Sequence, residues 1–262
     1  MYHYGHICTF CALQRIALRP WIIRKRVMDM PISAQRIEVN ALQEYLKEFS
    51  DTRTEFPIIQ TETIESLPSK TAYRICKRVF DFSFSLLALL ILLVPMTLIY
   101  LLVLIDSGSP AIYRQQRLGQ NEKPFVIYKF RTMRRDAEER GPRWAERDDK
   151  RCTRVGRILR SSRMDELPQL WNILRGDMSF VGPRPERPEF YDLFDAYIKG
   201  YRQRMLVPPG LTGLAQVSGG YDLLPEEKIV YDLEYIKNRS FWLDLKCIMR
   251  TFGVVFGCSG AH

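Results

Sequence analysis

The sequence predicts a mainly helical α+β protein that is attached to a membrane. Three observations favour this class: one long uncharged run, one pair of neighbouring strand-like stretches, and several amphipathic stripes in the second half of the chain. The chain has 262 residues, of which 46% are hydrophobic, and this composition excludes wholesale disorder. A chain of this size can bury one sizeable core with a small appendage.

The uncharged run extends over 24 residues from Phe82 to Ile105, and Asp81 and Asp106 bracket it. A straight helix of that length would measure about 36 Å, which is enough to cross a hydrocarbon core of about 30 Å. Pro95 near its centre would remove a helical hydrogen bond and bend the axis. Both flanks are basic, and Lys and Arg mark the cytoplasmic side of a membrane helix. A spanning helix and a bent hairpin that enters and leaves by one face are therefore both compatible with these residues.

The stretches 111–117 and 124–133 are rich in β-branched and aromatic residues and are joined by the short polar stretch LGQNEK. This pattern is typical of two strands that form a β-hairpin. Residues 134–157 are charged and contain Gly141 and Pro142, which predicts a helix together with a mobile loop.

Three later segments repeat apolar residues at helical spacing, which predicts amphipathic helices. The stripes are Leu167, Leu170, Trp171 and Leu174; Phe190, Leu193, Phe194, Tyr197, Ile198 and Tyr201; and Trp242, Leu245, Met249 and Phe252. Pro168 is well placed in the first turn of the first of these helices. Ordinary core packing is the first interpretation of each stripe. The alternative is a set of helices in the membrane interface, where Tyr, Trp and basic residues are common.

The first 69 residues give few signals. Residues 1–35 look irregular, residues 37–49 predict a short amphipathic helix at best, and residues 50–69 have the composition of a polar linker. Cys8 and Cys11 have a metal-ligand spacing, but a zinc module usually brings a second ligand pair. We therefore interpret them as an incidental pair and expect free thiols in a reducing compartment.

The formal charge of +9 is concentrated in one segment. Residues 107–163 contain 16 Lys and Arg against 7 Asp and Glu. Such a patch favours an anionic partner, which means phospholipid, nucleotide or nucleic acid. The sequence contains no recognised nucleic-acid motif, and the uncharged run argues against that third class. We therefore expect no nucleic acid partner.

Asp165 and Glu166 are adjacent carboxylates just before Pro168, near which a helix is expected to begin. Neighbouring residues on a helix point about 100° apart, so the two are poorly placed as a facing acid and base. Two separate tasks at one centre suit them better, and the positive end of the helix favours their ionised forms. An ionised aspartate can attack phosphorus, while a neighbouring glutamate can hold Mg²⁺ beside the phosphate oxygens of a substrate.

A phosphate substrate at these carboxylates also needs positive charge around it. The candidate substrate-binding cations are Lys129, Arg131, Arg160, Arg163, Arg175 and Arg184. Arg184 lies between Pro183 and Pro185, whose fixed φ angles restrict the backbone. Taken singly, acids near a helix start are common caps, and Pro-Arg-Pro is commonly a turn. Only the combination of these features favours phosphate chemistry.

From Lys77 to about Gly257 the chain resembles the bacterial sugar transferases, the small monotopic phosphoglycosyl transferases. The run DELPQL…N-x-L-x-GDMS-x-VGPRP within residues 160–185 is specific and is not expected by chance. The other matching stretches, in order along the chain, are KRVFDF (77–82), YRQQRLG (113–119), YKFRTM (128–133), PPGLTGLAQVSG (208–219) and YDLEYIKNRSFWLDLK (231–246).

The resemblance implies a re-entrant helix–break–helix hairpin kinked at Pro95, and it thereby favours the bent hairpin over the spanning helix. The full fold class is then a mainly helical α+β, monotopic membrane protein with this hairpin, a small β-hairpin and interfacial amphipathic helices. The implied domains are an N-terminal extension over 1–69, a re-entrant membrane helix over 70–106 and a catalytic domain over 107–262. The implied location is the bacterial inner membrane, with the catalytic domain on its cytoplasmic face.

The resemblance also implies the reaction, which moves a sugar 1-phosphate from a UDP-sugar to polyprenyl (undecaprenyl) phosphate and releases UMP. Asp165 would form a covalent phosphosugar intermediate, and Glu166 would bind Mg²⁺. Lys129, Arg184 and Asp232 match further functional positions of the family, which we assign to substrate binding. The expected partners are a UDP-sugar, polyprenyl phosphate and membrane lipids, whereas the identity of the sugar and homo-oligomerisation stay open.

One departure from the family concerns the hairpin. A serine often precedes the kink proline, and in this chain the residue is Val94. Because a serine hydroxyl can bond backbone groups that a kink sets free, the hairpin loses one stabilising device. The alternative function is a non-catalytic, basic scaffold protein attached to the membrane. Such a scaffold would tolerate the loss of Asp165 and Glu166.

Overall fold

The computed structural model describes residues 59–137, 149–219 and 223–256, with side chains as far as 253. All of these residues belong to one compact unit, Thr54–His262. The expected helix over 37–49 and the Cys8–Cys11 pair lie outside the described residues, as does most of the loop expected within 134–157.

The uncharged run lies in two helices, α1 (Thr71–Ile91) and α2 (Leu93–Ser107), with a bend of 64° between them at Leu92. Within the described part of the chain, no single helix is long and apolar enough to cross a membrane, whereas the bent pair together has the required length and composition. Pro95 lies in the first turn of α2, where its missing N–H costs no hydrogen bond inside that helix. The predicted bend near Pro95 is therefore confirmed, and the break begins just before it.

A threonine hydroxyl also bonds the backbone close to the bend. Thr97 Oγ1 donates a hydrogen bond to the carbonyl of Leu93 at 2.8 Å. The N–H of Leu92 still donates to the carbonyl of Ala88 at 2.8 Å, so the helical ladder runs into the break. On the other side of the break, the N–H of Met96 donates to the carbonyl of Leu92 at 2.8 Å, so helical hydrogen bonds resume at once in α2.

Many apolar side chains of α1 and α2 have no cover within the unit. They include Leu87, Leu90, Ile91, Leu93, Val94, Leu98, Leu102 and Ile105. Only the second helix contributes fully buried apolar side chains, namely Ile99 and Val103. An exposed apolar surface of this extent marks a site of interaction with membrane or protein.

The predicted β-hairpin is confirmed as the antiparallel strands β2 (Ile112–Leu118) and β3 (Pro124–Phe130). Phe130 at the end of β3 packs against Ile99 of α2 in a hydrophobic cluster. The hairpin therefore anchors the second half of the bent pair, and it holds Lys129 beside that anchor.

The rest of the unit is mainly helical, with two further small parallel sheets. Its helices are α3 (Arg154–Ser161), α4 (Gln169–Arg175), α5 (Pro188–Tyr197), α6 (Leu214–Gly219), α7 (Pro225–Asn238) and α8 (Phe241–Phe256). The sheets pair β1 (Ile59–Gln60) with β5 (Ile198–Lys199), and β4 (Ser179–Val181) with β6 (Gly210–Thr212). The mainly helical α+β class with small sheets is confirmed, and β1 attaches the described end of the expected linker to this body.

Helix α3 approaches the chain just after β3 closely because Gly156 has no side chain. A Cβ atom at position 156 would lie 2.0 Å from the carbonyl oxygen of Thr132. Thr153 is the N-cap of α3: its Oγ1 accepts from the Gly156 N–H at 2.9 Å, and its own N–H donates to the Thr132 carbonyl at 3.0 Å. At the other end of α3, Arg160 Nε donates to Thr132 Oγ1 at 2.9 Å. The position of Arg160 thus depends on this close contact.

The apolar face predicted for α4 is partly wrong. Leu170 is buried as expected, but Trp171 is 49% exposed and Ile173 is fully buried instead. Pro168 occupies the N-cap position of the helix, one residue before the predicted first turn, and its backbone is already helical.

Phe190, Leu193 and Phe194 of the stripe predicted for α5 are buried, as core packing predicts. The helix ends at Tyr197, however, and the last two residues of the stripe lie beyond it, where they are buried: Ile198 in β5 and Tyr201 in a 3₁₀ turn.

The stripe on α8 lies on the surface, so the core-packing interpretation is wrong there. Trp242 is 77% exposed, and Met249 and Phe252 are 62% and 55% exposed. The opposite face of the helix packs inward through Asp244 and Cys247, which are buried. An amphipathic helix with an uncovered apolar face fits the alternative of a helix in the membrane interface.

Candidate active site

Asp165 and Glu166 lie in a short 3₁₀ turn, Met164–Glu166, between α3 and α4. Arg163 before the turn has a left-handed backbone with φ of 61°, which is uncommon for a residue with a side chain. This reversal lets the chain leave α3 and present both carboxylates in the space between β3 and α4. Both acids are buried, with exposures of 8% for Asp165 and 9% for Glu166.

Two cations clamp the carboxylate of Glu166. Lys129 Nζ lies 2.9 Å from Oε1, and Arg184 donates to Oε1 through Nη2 and to Oε2 through Nη1 at 3.4 Å. Burial alone would raise the pKa of Glu166, but the charges of Arg184 and Lys129 outweigh it and hold the pKa well below its usual range. Glu166 is therefore an ionised carboxylate that joins β3 to the Pro-Arg-Pro segment.

Asp165 is in a different electrostatic state although it is the next residue. Burial raises its pKa to about 6, and the nearby charge of Glu166 adds to that effect, while Lys129 and Arg160 oppose it. Within the described residues, its carboxylate accepts no hydrogen bond. The carboxylate oxygens of Asp165 are thus less stabilised than those of Glu166, and they are more available to an electrophile.

Asn172 fixes the distance between helix α4, which follows the carboxylate turn, and strand β3, which holds Lys129. Its side-chain Nδ2 donates to the carbonyl of Val126 at 2.7 Å, and its Oδ1 accepts from the N–H of Tyr128 at 3.2 Å. Asn172 is fully buried on α4, so it joins the helix after the carboxylates to the strand that holds Lys129. The sequence reasoning did not single out this residue, although the N-x-L part of the quoted run contains it.

A second buried ion pair, between Arg204 and Asp232, contacts the backbone of Arg184. Arg204 Nε lies 2.6 Å from Asp232 Oδ2, and both side chains are 1% exposed. Arg204 also donates to the hydroxyl of Tyr201 at 2.7 Å and to the carbonyl of Arg184 at 3.1 Å. Its guanidinium carbon lies 4.8 Å from the centre of the Tyr201 ring. Arg204 was missed by the sequence reasoning, because no motif marks it.

The structure brings together four of the six predicted cations. Lys129 and Arg184 contact Glu166, while Arg160 and Arg163 lie close enough to act electrostatically on the carboxylates.

Three other predicted site residues have different surroundings. Arg131 donates to the carbonyls of Ser107 and Gly108, so it caps the end of α2. Arg175 ends α4 on the surface, 3.5 Å from Asp177. Asp232 is enclosed with Arg204 and is shielded from solvent. In this structure these three residues do not reach Asp165 or Glu166, because α2, the end of α4 and the Arg204 pair hold them elsewhere; their contact with substrate stays a prediction.

The carboxylate pair is a suitable donor set for Mg²⁺. The described residues contain no group of three or more His, Cys, Asp or Glu side chains that would form an all-protein metal site. Mg²⁺ usually takes only one or two protein carboxylates and completes its six ligands with substrate phosphates and water. Glu166 and Asp165 meet that requirement, and the cations already on Glu166 would share its oxygens with the ion.

The chain belongs to the bacterial sugar transferase family, whose model matches residues 72–258. The resemblance noted from the motifs is thereby confirmed, and the match includes the bent helix pair, the carboxylate turn and both ion pairs.

Three relatives illustrate the range of the family. The UDP-N-acetylgalactosamine-undecaprenyl-phosphate N-acetylgalactosaminephosphotransferase of Aeromonas hydrophila is 37% identical over 224 residues, which cover 83% of this chain and 53% of that protein. The UDP-glucose:undecaprenyl-phosphate glucose-1-phosphate transferase of Caulobacter vibrioides is 45% identical over 190 residues, 70% of each chain. The UDP-galactose-lipid carrier transferase of Erwinia amylovora is 36% identical over 210 residues, 74% of this chain and 43% of that protein. The chain thus spans about half the length of the Aeromonas relative.

Proposed function

We propose that this protein is a phosphoglycosyl transferase that moves a sugar 1-phosphate from a UDP-sugar to undecaprenyl phosphate. In the first step the Asp165 carboxylate attacks the phosphorus that carries the sugar, the bond from that phosphorus to the UMP oxygen breaks, and UMP leaves. In the second step a phosphate oxygen of the polyprenyl phosphate attacks the same phosphorus and releases Asp165. The product is a polyprenyl-diphosphate sugar, and the reaction is the first membrane step of polysaccharide or glycoconjugate synthesis.

The observation that carries this proposal is the unequal state of two neighbouring carboxylates. Glu166 is held as an ionised carboxylate by Lys129 and Arg184, whereas Asp165 accepts no hydrogen bond from the described residues and has a raised pKa. A nucleophile needs free lone pairs beside positive charge that holds an anionic substrate. Asp165 meets both conditions, whereas the Glu166 oxygens are shared among positive charges, which makes them weaker nucleophiles.

The cations around the pair have a separate task in the proposal. Lys129, Arg184, Arg160 and Arg163 offset the negative charge of the UDP-sugar diphosphate, so that an anionic nucleophile can approach phosphorus. When Mg²⁺ is bound, it adds further positive charge on the phosphate oxygens. Glu166 is the proposed ligand of that ion, and Asp165 lies next to it.

We also propose that the protein is monotopic, with residues 70–106 as a re-entrant membrane segment and residues 107–262 on the cytoplasmic face of the bacterial inner membrane. The 64° bend and the apolar side chains exposed on both helices support this arrangement. The exposed stripe of α8 would lie in the interface and hold the carboxylate turn near the headgroups.

Labelling from one side of the membrane tests the re-entrant arrangement. Cys76, just before the uncharged run, is exposed, and Lys123→Cys places a second exposed thiol after it. In inside-out vesicles, with the other cysteines replaced by serine, an impermeant maleimide is expected to label both positions. Labelling of the two thiols from opposite sides would show a spanning helix instead.

The main test of the activity is UMP release by the full chain in nanodiscs with Mg²⁺ and undecaprenyl phosphate. The three relatives carry three different sugars in their names, so the panel contains UDP-N-acetylgalactosamine, UDP-glucose and UDP-galactose. At least one donor is expected to give UMP, and Asp165→Asn is expected to lower the rate about 10³-fold or more. Near-normal turnover by this variant would refute the assignment of the nucleophile.

Mass spectrometry separates the enzyme from the alternative scaffold. Incubation with the correct UDP-sugar in the absence of polyprenyl phosphate is expected to add one sugar phosphate to the chain at Asp165. A scaffold would acquire no adduct and would release no UMP with any donor.

A further inference from the structure

We propose that a cavity at the base of α1 binds one lipid that carries an anionic phosphate headgroup, at a site separate from Asp165 and Glu166. The cavity has a volume of about 760 Å³, which lies within the range of small-molecule sites. It is open to solvent and is lined by the first half of α1, the end of α4, strand β4, the segment 206–208 and the end of α7. Neither Asp165 nor Glu166 lines it, so the proposed transfer chemistry does not account for it.

The charge of the cavity wall is strongly positive. Its ionisable residues are the cations Lys70, Arg74, Lys77, Arg78 and Arg239 and the single acid Asp81, apart from two tyrosines. Lys77 is neutralised by Asp244 at 2.8 Å. The other four cations have no carboxylate partner within the described residues. An excess of positive charge around one open cavity favours a ligand that brings negative charge with it.

Three of these cations are already oriented by backbone carbonyls, which carry no net charge. Lys70 Nζ donates to the carbonyl of Arg239 at 2.8 Å. Arg78 donates to two carbonyls at the end of α4, at 2.7 Å each. Arg239 is buried and donates to the carbonyls of Ile236 at 2.7 Å and Pro68 at 3.1 Å. Each guanidinium thereby uses two of its five N–H donors. The remaining donors are available to a phosphate, and the fixed guanidinium groups form a preorganised site.

Arg74 has no such structural task. It lies on the exposed side of α1 and lines the cavity, and its guanidinium has no hydrogen-bond or ion-pair partner within the described residues. Helix-end contacts explain Arg78 and Arg239 but not Arg74. A ligand phosphate explains all three.

The apolar part of the wall indicates that the ligand also has a hydrocarbon chain. Ile75 and Val79 line the cavity from α1, and each is 60% exposed. From this point α1 continues directly into the uncharged run that begins at Phe82. A phosphate at the arginines therefore places an attached chain along the helix towards the apolar hairpin. This arrangement fits a lipid better than a nucleotide or free phosphate.

Two lipids have the required chemistry, a membrane phospholipid with an anionic headgroup and a polyprenyl phosphate. Titration of the purified full chain in maltoside detergent, followed by native mass spectrometry, distinguishes them. The probes are dioctanoyl phosphatidylglycerol, dioctanoyl phosphatidylcholine, a short polyprenyl phosphate and inorganic phosphate. We expect one saturable anionic lipid per chain, with at least tenfold weaker binding of phosphatidylcholine and of inorganic phosphate.

Charge reversal at Arg74 locates the site. Arg74→Glu is expected to weaken lipid binding at least tenfold, while the control Arg154→Glu, an exposed arginine on α3 outside the cavity, changes it less than twofold. A dependence on Arg74 for phosphatidylglycerol identifies a phospholipid site. The same dependence for the polyprenyl phosphate alone identifies the acceptor as the ligand.

Equal weakening by the two variants would overturn the proposal, because general attraction to positive charge would then explain binding. Saturable binding of phosphatidylcholine with equal affinity, or no saturable binding at all, would overturn it as well. The unfolding temperatures of the two variants should match that of the natural chain, because neither arginine side chain loses a partner among the described residues. The measurement involves no turnover, so its outcome is independent of whether the transferase activity is found.

Discussion

Two arginine–carboxylate pairs lie one behind the other in this protein, and they differ mainly in access. In the outer pair, the side chains of Glu166 and Arg184 are 11% and 24% exposed. In the inner pair, the side chains of Asp232 and Arg204 are each 1% exposed, and Arg204 donates to the backbone carbonyl of Arg184. The chemical groups are the same, yet only the outer pair can exchange one partner for a ligand.

An ion pair therefore supports either folding or ligand binding, according to how accessible its side chains are to solvent. A sealed pair that loses one member leaves an uncompensated charge in the interior, which is strongly destabilising. An accessible pair that loses one member can recruit water, an ion or a phosphate instead. Mutations in the inner pair should therefore act first on stability, and mutations in the outer region should act first on turnover.

The largest effect on stability is expected from Asp232→Leu. The change leaves Arg204 buried without its partner, and we expect a loss of about 3–5 kcal/mol in the free energy of unfolding. The double variant Asp232→Leu/Arg204→Met removes both charges and should recover most of that loss. Its rate of UMP release should stay low, because Arg184 has lost the support of Arg204. Denaturant unfolding in detergent and the UMP assay measure the two effects, and full activity in the double variant would contradict the supporting role.

A smaller loss is expected from Asn172→Ala, which separates α4 from β3. The change leaves the N–H of Tyr128 and the carbonyl of Val126 without their partner, at a cost of about 2–3 kcal/mol. The distance between Lys129 and Glu166 should become less well defined, so turnover should fall more than donor binding. The exposed neighbour provides the control: Trp171→Ala should cost less than about 1 kcal/mol. Equal losses for the two variants would argue against the bridging role.

A change of opposite sign is expected from Asp165→Asn. Because burial raises the pKa of Asp165 from 3.8 to about 6, the ionised group destabilises the folded state at neutral pH. Its removal should stabilise the fold by about 1–3 kcal/mol above pH 6, and this gain should disappear as the pH falls towards 4. Thermal unfolding in the presence of a chelator measures the gain.

Glu166→Gln is the matched control for that measurement. In the natural chain, Arg184 and Lys129 depress the pKa of Glu166. The ionised form of Glu166 therefore stabilises the folded state at every pH above the pKa that this side chain has in the unfolded chain. The Gln variant should therefore be less stable at neutral pH. Shifts of the same sign in both variants would contradict the assigned ionisation states.

The smallest effect is expected from Arg175→Ala. Its side chain is 53% exposed and pairs only loosely with Asp177, so we expect less than about 0.5 kcal/mol in stability. The rate of UMP release should change less than twofold, whereas Arg184→Ala should lower it at least tenfold. A large effect of Arg175→Ala on turnover would show that the protein rearranges when substrate binds.

The carboxylate pair and Arg184 could be predicted because they occupy one specific motif run, and Lys129 could be predicted from a second matching stretch. Asp165, Glu166 and Arg184 lie within 25 residues of one another, and Lys129 follows a recognisable strand pattern. Arg204 and Asn172 escaped notice because their roles depend on contacts between segments that meet only in the folded chain. The left-handed backbone at Arg163 escaped for the same reason, since no glycine or asparagine marks it.

The spacing of apolar residues predicted where the helices lie more reliably than it predicted whether their apolar faces are buried. The stripes of α5 and α8 have the same spacing, yet the first is buried and the second is exposed. A repeat of apolar residues predicts which face of a helix is removed from water, but it does not predict whether protein or lipid covers that face. For α4 the predicted buried face is itself partly wrong. Trp171, which belongs to the predicted stripe, is 49% exposed, whereas Ile173, which does not, is fully buried.

Gly156 has a consequence for the way a mutational scan of this protein will be interpreted. Any side chain at this position meets the carbonyl of Thr132, so replacement by alanine must push α3 outwards and carry Arg160 with it. A survey of activity alone will rank this glycine beside Asp165, although none of its atoms takes part in chemistry. Measuring the abundance of each variant together with its activity will separate such spacer positions from the reacting groups.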